Sequence, residues 1–153
     1  KTIRESGRKN KKRYLLICPY GSTSEREGME GLVIPDDRRI MVSIHMYEPY
    51  SFCQEDDGDR EWDTPEHREQ IASAFSDMNE VFVKKGIPVM LTEFGCEDKG
   101  NTKERIAWTH YYMELAREYR INCIWWDCSR YRLLNRENGT WEFPEIVEIL
   151  VGQ

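Results

Sequence analysis

The sequence predicts an α/β fold built on a parallel sheet, and three observations predict it. Short apolar runs alternate with longer amphipathic stretches, in the order strand, helix, repeated four times. The long amphipathic stretches open on capping residues, and one closes on lysines and a glycine. Side chains capable of chemistry stand where the apolar runs end, the edge of a parallel sheet on which sites are built. Two architectures fit this rhythm: a small doubly wound sheet, or part of a (β/α)8 barrel. A whole barrel takes about 200 to 250 residues or more. Four βα units in 153 residues make half of one.

Arg13–Tyr20 is the first strand candidate, followed by a loop at Gly21–Ser24 and a short helix within Glu25–Glu30. Ile34-Pro-Asp-Asp37 is a turn, because Pro and Asp favour tight reversals. In the second strand, Arg39–Tyr47, alternation puts Met41, Ser43, His45 and Tyr47 on one face and Val42, Ile44 and Met46 on the other. Glu48–Asp63 reads as a long loop. Thr64-Pro-Glu66 then opens a helix with a cap, a proline at the first position and an acid in the first turn. Ile71, Phe75, Met78 and Phe82 give it one apolar face, Lys84 and Lys85 fill its last turn, and Gly86 stops it.

The third strand, Ile87–Gly95, is an apolar run ending in one carboxylate and a glycine. Simple alternation places Val89, Leu91 and Glu93 on one face. Asn101 and Glu104 have the spacing of a capping box. Trp108, Tyr111, Tyr112, Leu115 and Tyr119 form the packing face of the helix behind them. Ile121–Trp126 is the fourth strand. Leu133–Trp141 is a hairpin around Asn138-Gly139, and Pro144 opens a terminal helix. Residues 1–153 thus show no internal domain boundary and read as part of one domain, half of a barrel, with Lys1–Arg13 as the tail of a surface helix and its exit loop.

Composition narrows the function classes. With 22 Lys and Arg against 28 Asp and Glu, the formal charge is -6, which argues against nucleic acid or an anionic membrane as the main partner. No apolar run approaches the roughly 20 residues of a membrane span. Five cysteines, none in a Cys-x-x-Cys pair, suggest neither a zinc site nor a disulfide framework. Cys18, Cys123 and Cys128 read as small hydrophobes in or beside apolar runs. No cofactor or metal is expected: no Gly-rich phosphate loop ends any strand, and Ser22 and Ser24 lack the setting of a hydrolase elbow.

What remains at the strand ends is His45 and Tyr47 on the second, Glu93 on the third, and Trp126 with Asp127 on the fourth. The runs Ser-Ile-His-Met-Tyr-Glu-Pro-Tyr50, Thr-Glu-Phe-Gly95 and Ile-Trp-Trp-Asp127, in this order, resemble the C-terminal half of family 5 glycoside hydrolases. Arg13-Tyr-Leu-Leu-Ile17, Asn135-Arg136 and Trp141 fit the same pattern. The resemblance implies strands five to eight of a (β/α)8 TIM barrel, from a retaining endo-β-1,4-glucanase acting on β-glucan chains. It implies Glu93 as nucleophile, Tyr47 as the donor that holds and aims it, His45 as a group orienting the sugar, and Trp126 as the stacking floor. It also implies a secreted or periplasmic location, since polymeric substrates lie outside cells. Another β-glycan (xyloglucan, mannan or lichenan), or a half-barrel that only binds glycan, fits the same residues. Trp125 is expected to face the helices, and Trp62 reads as loop packing. Glu48, Asp127 and the Glu55–Asp57 run read as solvated or supporting groups.

One departure stands out. The family's acid/base is the Glu of an Asn-Glu pair ending a strand, and here Asn79-Glu80 falls inside a helix. The chain therefore carries the nucleophile half of a site, and four strands that cannot close are expected to self-associate through open edges.

Overall fold

A computed structural model describes residues 2–152; Lys1 and Gln153, which belong to the expected partial domain, lie outside the described residues. The chain begins with a short helix α1 (Thr2–Glu5) and a 3-10 turn at Arg8–Lys11. It then runs β1 (Leu15–Ile17), α2 (Arg26–Glu30), β2 (Ile40–His45), α3 (Tyr50–Cys53), α4 (Pro65–Val81), β3 (Val89–Phe94), α5 (Thr102–Glu118) and β4 (Asn122–Trp125). A two-stranded hairpin, β5 (Leu134–Asn135) and β6 (Thr140–Trp141), precedes the last helix, α6 (Pro144–Val151). Strands β1 to β4 form one sheet in sequence order, every pair parallel. This is the barrel-like alternative; the winding never reverses, so there is no doubly wound switch point.

The core fills the space between one face of this sheet and helices α4 and α5. Ile40, Val42 and Ile44 of β2 and Val89, Leu91 and Phe94 of β3 are all buried. Val42, Ile44, Val89, Leu91 and Phe94 join one cluster with Ile71, Phe75 and Met78 from α4 and Trp108 and Tyr112 from α5. The helical spacing read from the sequence therefore marks the right residues. Among the described residues, nothing covers the opposite face of the sheet. Leu16 and Ile124 are about half exposed there, and Met41 and Met90 are partly open. Strands β1 and β4 each keep one edge unpaired among the described residues.

Several local expectations change. α4 takes its cap as read, with Thr64 Oγ1 accepting from the His67 N–H at 3.1 Å. It ends at Val81, however, and the two lysines sit in a separate 3-10 turn before Gly86, whose φ of 76° only glycine adopts freely. The capping box on α5 does not form. Asn101 Oδ1 accepts from Lys99 N–H and its Nδ2 donates to the Arg60 carbonyl, while Glu104 accepts from the Trp62 N–H at 3.1 Å. Both side chains are spent on fastening the 54–63 segment. That segment is accordingly less of a loop than expected: α3 interrupts it, and Phe52 and Trp62 are buried. The cysteines are also distributed otherwise. Cys53 and Cys96 are the buried pair, whereas Cys18 and Cys128 are exposed, because the strands stop short of them.

Candidate active site

The site is assembled at the C-terminal ends of β2, β3 and β4. Alternation along β2 holds as read: Met41, Ser43 and His45 look away from the helices, and Tyr47 follows them just past the strand. Alternation along β3 does not. Val89 and Leu91 are buried under the helices, but Thr92 and Glu93 are both on the open face, and Phe94 is buried again. Thr92 shows its side by a 2.6 Å hydrogen bond to Ser43 across the strands. The register between β2 and β3 shifts after Ile44, so that His45 pairs with Glu93. This irregularity is a β-bulge, which inserts one residue and re-aims the next side chain. The expected shared face of Val89, Leu91 and Glu93 is thus corrected. Without the slip, the carboxylate would point into the apolar core, at a cost of several kcal/mol.

Glu93 meets two partners. The Tyr47 hydroxyl donates to Oε2 at 3.0 Å, and His45 Nδ1 lies 3.2 Å from the same oxygen. Both contacts converge on Oε2, and Oε1 takes neither. The carboxyl group is about a quarter exposed, enough to be reached from the open face. Burial, and then the hydrogen bond to Glu93, push the Tyr47 hydroxyl well above the usual phenol range, so it stays a donor. Main-chain bonds fix the three strand ends together: Met46 N–H donates to Glu93 O at 3.0 Å, and Trp126 N–H to Phe94 O at 2.9 Å.

The tryptophan pair splits between the two faces. Trp125 packs edge-on against Phe94 and Trp108, and its Nε1 donates to the Tyr131 carbonyl at 2.7 Å. Trp126 is 43% exposed, a large flat apolar surface offered to the open face. Gly95 makes this junction possible: a Cβ there would meet the Tyr131 ring at 3.2 Å and the Trp125 indole at 3.4 Å.

The remaining acids play other parts. Asp127 accepts from the Leu133 N–H and pairs with Arg136 at 2.8 Å, which shapes the turn before the hairpin. Glu48 faces away from the cleft, in a groove with Ser24, Gln70 and Asp77, and burial raises its carboxyl above the ordinary range. Glu80 of the Asn79-Glu80 pair lies on α4, bonded to Lys84. Trp62 is packed among Phe52, His67 and Tyr111. Among the described residues, no group of three or more His, Cys, Asp or Glu side chains is placed to hold a metal ion, and no helix is long and apolar enough to cross a membrane.

A carboxylate held by a tyrosine at one strand end, with an exposed indole at the end of the neighbouring strand, suits attack on a sugar. The sequence model of the cellulase family, glycosyl hydrolase family 5, matches residues 1–132. The chain belongs to this family. It is 36% identical over 155 residues to Endoglucanase 1 of Ruminococcus albus, covering 96% of this chain and 38% of that protein. The solved structure of a broad specificity endoglucanase from Clostridium acetobutylicum superposes with a TM-score of 0.93 at 33% identity, over 99% of this chain and 48% of that one. A second, from Ruminococcus champanellensis with bound cellotriose, gives 0.90 at 30% identity, over 99% and 46%. The chain spans less than half the length of these relatives. Its parallel sheet matches the C-terminal half of the family's TIM barrel, as the four βα units indicated.

Sequence reasoning missed Tyr131, Glu97, Arg130 and Arg105. Arg105 is fully buried on α5, 4.4 Å over the Phe143 ring and 3.9 Å from Asp98. Glu97 lies in the loop after β3 and Arg130 and Tyr131 in a 3-10 turn at Ser129–Tyr131, where the polar run Cys-Ser-Arg-Tyr-Arg132 has no period that marks a buried residue.

Proposed function

We propose that this chain supplies the nucleophile half of a retaining endo-β-1,4-glucanase. Glu93 attacks the anomeric carbon of a bound glucosyl unit to form a glycosyl-enzyme, which water then hydrolyses. Tyr47 donates to the carboxylate and keeps it aimed, His45 orients the sugar beside the cleaved bond, and Trp126 is the floor on which that sugar stacks. The observation that carries this reading is the convergence of Tyr47 and His45 on one oxygen of Glu93, at the open end of a barrel strand. A retaining site needs a second carboxylic acid roughly 5 Å from the nucleophile. No Asn-Glu pair ends a strand among the described residues, since Asn79-Glu80 lies within α4 with Glu80 bonded to Lys84, which supports an acid/base supplied from outside this chain. The isolated chain is therefore inactive, and its uncovered sheet face and unpaired edges favour self-association.

The substrate class is a β-glucan, met outside the cell or in the periplasm. The broad specificity named for two structural neighbours favours a second reading of the substrate, in which other β-glycans are cleaved as well. In a completed barrel, Glu93→Gln abolishes turnover and leaves cellotriose binding in place. Turnover near the parent level in that variant would rule out the nucleophile role.

A further inference from the structure

Behind the site lies a knot of three loops. Arg130, in the loop after β4, bonds Glu97 Oε1 of the loop after β3 at 2.9 Å and also reaches Asp56, just past α3 in the segment after β2. The Asp98 N–H donates to the Arg130 carbonyl at 2.9 Å, and the Glu97 N–H to the Cys53 carbonyl at 3.0 Å. Glu97 is only 5% exposed, and its second oxygen is buried without a hydrogen bond. A half-exposed arginine bridging two acids from separate loops is a clamp, and a buried acid makes it costly to open.

The residue next to Arg130 touches the site. The Tyr131 ring stands edge-on to the Tyr47 ring, with centroids 5.6 Å apart at 62°. Its carbonyl holds the Trp125 indole, its ring packs over Gly95, and its hydroxyl lies beside Glu97 and Gln54. Tyr131 is buried, so the knot fixes its place.

We propose that Tyr131 is a positioning residue: its ring braces Tyr47 so that the Tyr47 hydroxyl stays on Glu93, and the Arg130–Glu97 clamp holds the brace. The aim that the bulge in β3 gives the acid is then held by three loops as well as by its own strand. Edge-to-face aromatic pairs have preferred geometry, so the brace fixes direction as well as distance. The inference deepens the reading of Glu93 as nucleophile, but the tyrosine–carboxylate coupling it predicts exists whether or not that reading holds. The titratable and charged groups facing the pair are Glu93 and His45 at Tyr47, and Glu97, Arg130 and Cys53 at Tyr131.

The test uses the 153-residue chain carrying tyrosine labelled with carbon-13 at Cζ. The Tyr47 signal is assigned by its loss in Tyr47→Phe. Its shift is followed as pH is lowered, because a proton on Glu93 changes the hydrogen bond that the Tyr47 hydroxyl makes. The parent shows a step that Glu93→Gln removes. Tyr131→Phe, which keeps the ring, retains the step, whereas Tyr131→Ala loses more than half of it. Arg130→Gln, which removes no core volume, also reduces the step. A full step in folded Tyr131→Ala overturns the proposal. If that variant does not fold by circular dichroism, Tyr131→Leu takes its place, and a full step in both Tyr131→Leu and Arg130→Gln overturns it equally.

Discussion

Replacing Tyr47 with phenylalanine removes one hydroxyl and little else. The ring keeps its edge contact with Tyr131, and the main-chain bond from Met46 to Glu93 is untouched. What goes is a 3.0 Å hydrogen bond to Glu93 Oε2. Hydrogen bonds to a charged group contribute about 1.5–3 kcal/mol. A factor of ten in rate corresponds to about 1.4 kcal/mol, so Tyr47→Phe in a completed barrel loses about 10- to 150-fold in kcat/KM. His45, 3.2 Å from the same oxygen, retains part of the aim and keeps the loss below that of Glu93→Gln. The assay is reducing-sugar release from a soluble β-glucan, with Glu93→Gln, Tyr47→Phe and the double variant measured together. Tyr47 acts only through the carboxylate, so the double variant is no worse than Glu93→Gln alone. A loss under about threefold, or losses that simply add, would refute the coupling.

Other consequences follow from the same geometry. Trp126→Ala in the completed barrel weakens kcat/KM by about 1–3 kcal/mol, the scale of an aromatic anchor, while Trp125→Ala lowers the urea midpoint instead, because that ring packs on Phe94 and Trp108. Thr64→Ala costs the fold about 1 kcal/mol by urea titration, since the threonine caps α4 through the His67 N–H. Glu48 has a folded-state carboxyl raised by burial, so the folded chain binds its proton more tightly than the unfolded one and loses stability as pH rises through that range. Glu48→Gln is therefore more stable than the parent at neutral pH, and the difference in urea midpoint disappears below about pH 4. The isolated chain gives a light-scattering mass above that of one 18.3 kDa copy, and a monodisperse monomer would contradict the open-edge argument.

The fold was legible where period and capping agreed. Ile71, Phe75 and Met78 marked the buried face of α4 because a helix repeats its contacts every three to four residues. Trp108 and Tyr112 did the same for α5. Strand faces were legible along β2 but not along β3, since a bulge adds a residue without leaving a compositional mark. The candidate site was visible as single residues at strand ends, and the family resemblance they carry placed Tyr47 on Glu93, whereas the contact of His45 with the same oxygen appears only in the structure. What supports them was not visible. Asn101 and Glu104 have the spacing of a local cap yet reach the 54–63 segment instead, and only the folded chain brings that segment close. Arg130 bonds residues 33 and 74 positions earlier, a separation that no local pattern encodes.

The most direct measurement is to trap the covalent intermediate. A completed barrel containing this chain is treated with a 2-deoxy-2-fluoro cellobioside carrying a good leaving group, which slows release of the glycosyl-enzyme. Digestion and peptide mass spectrometry then locate the sugar. The account predicts one added fluorocellobiosyl group, on the peptide containing Thr92-Glu93-Phe94 and on Glu93 itself, absent in Glu93→Gln. A label on any other residue would contradict it, as would an active enzyme that hydrolyses β-glucan with inversion and never takes up the label.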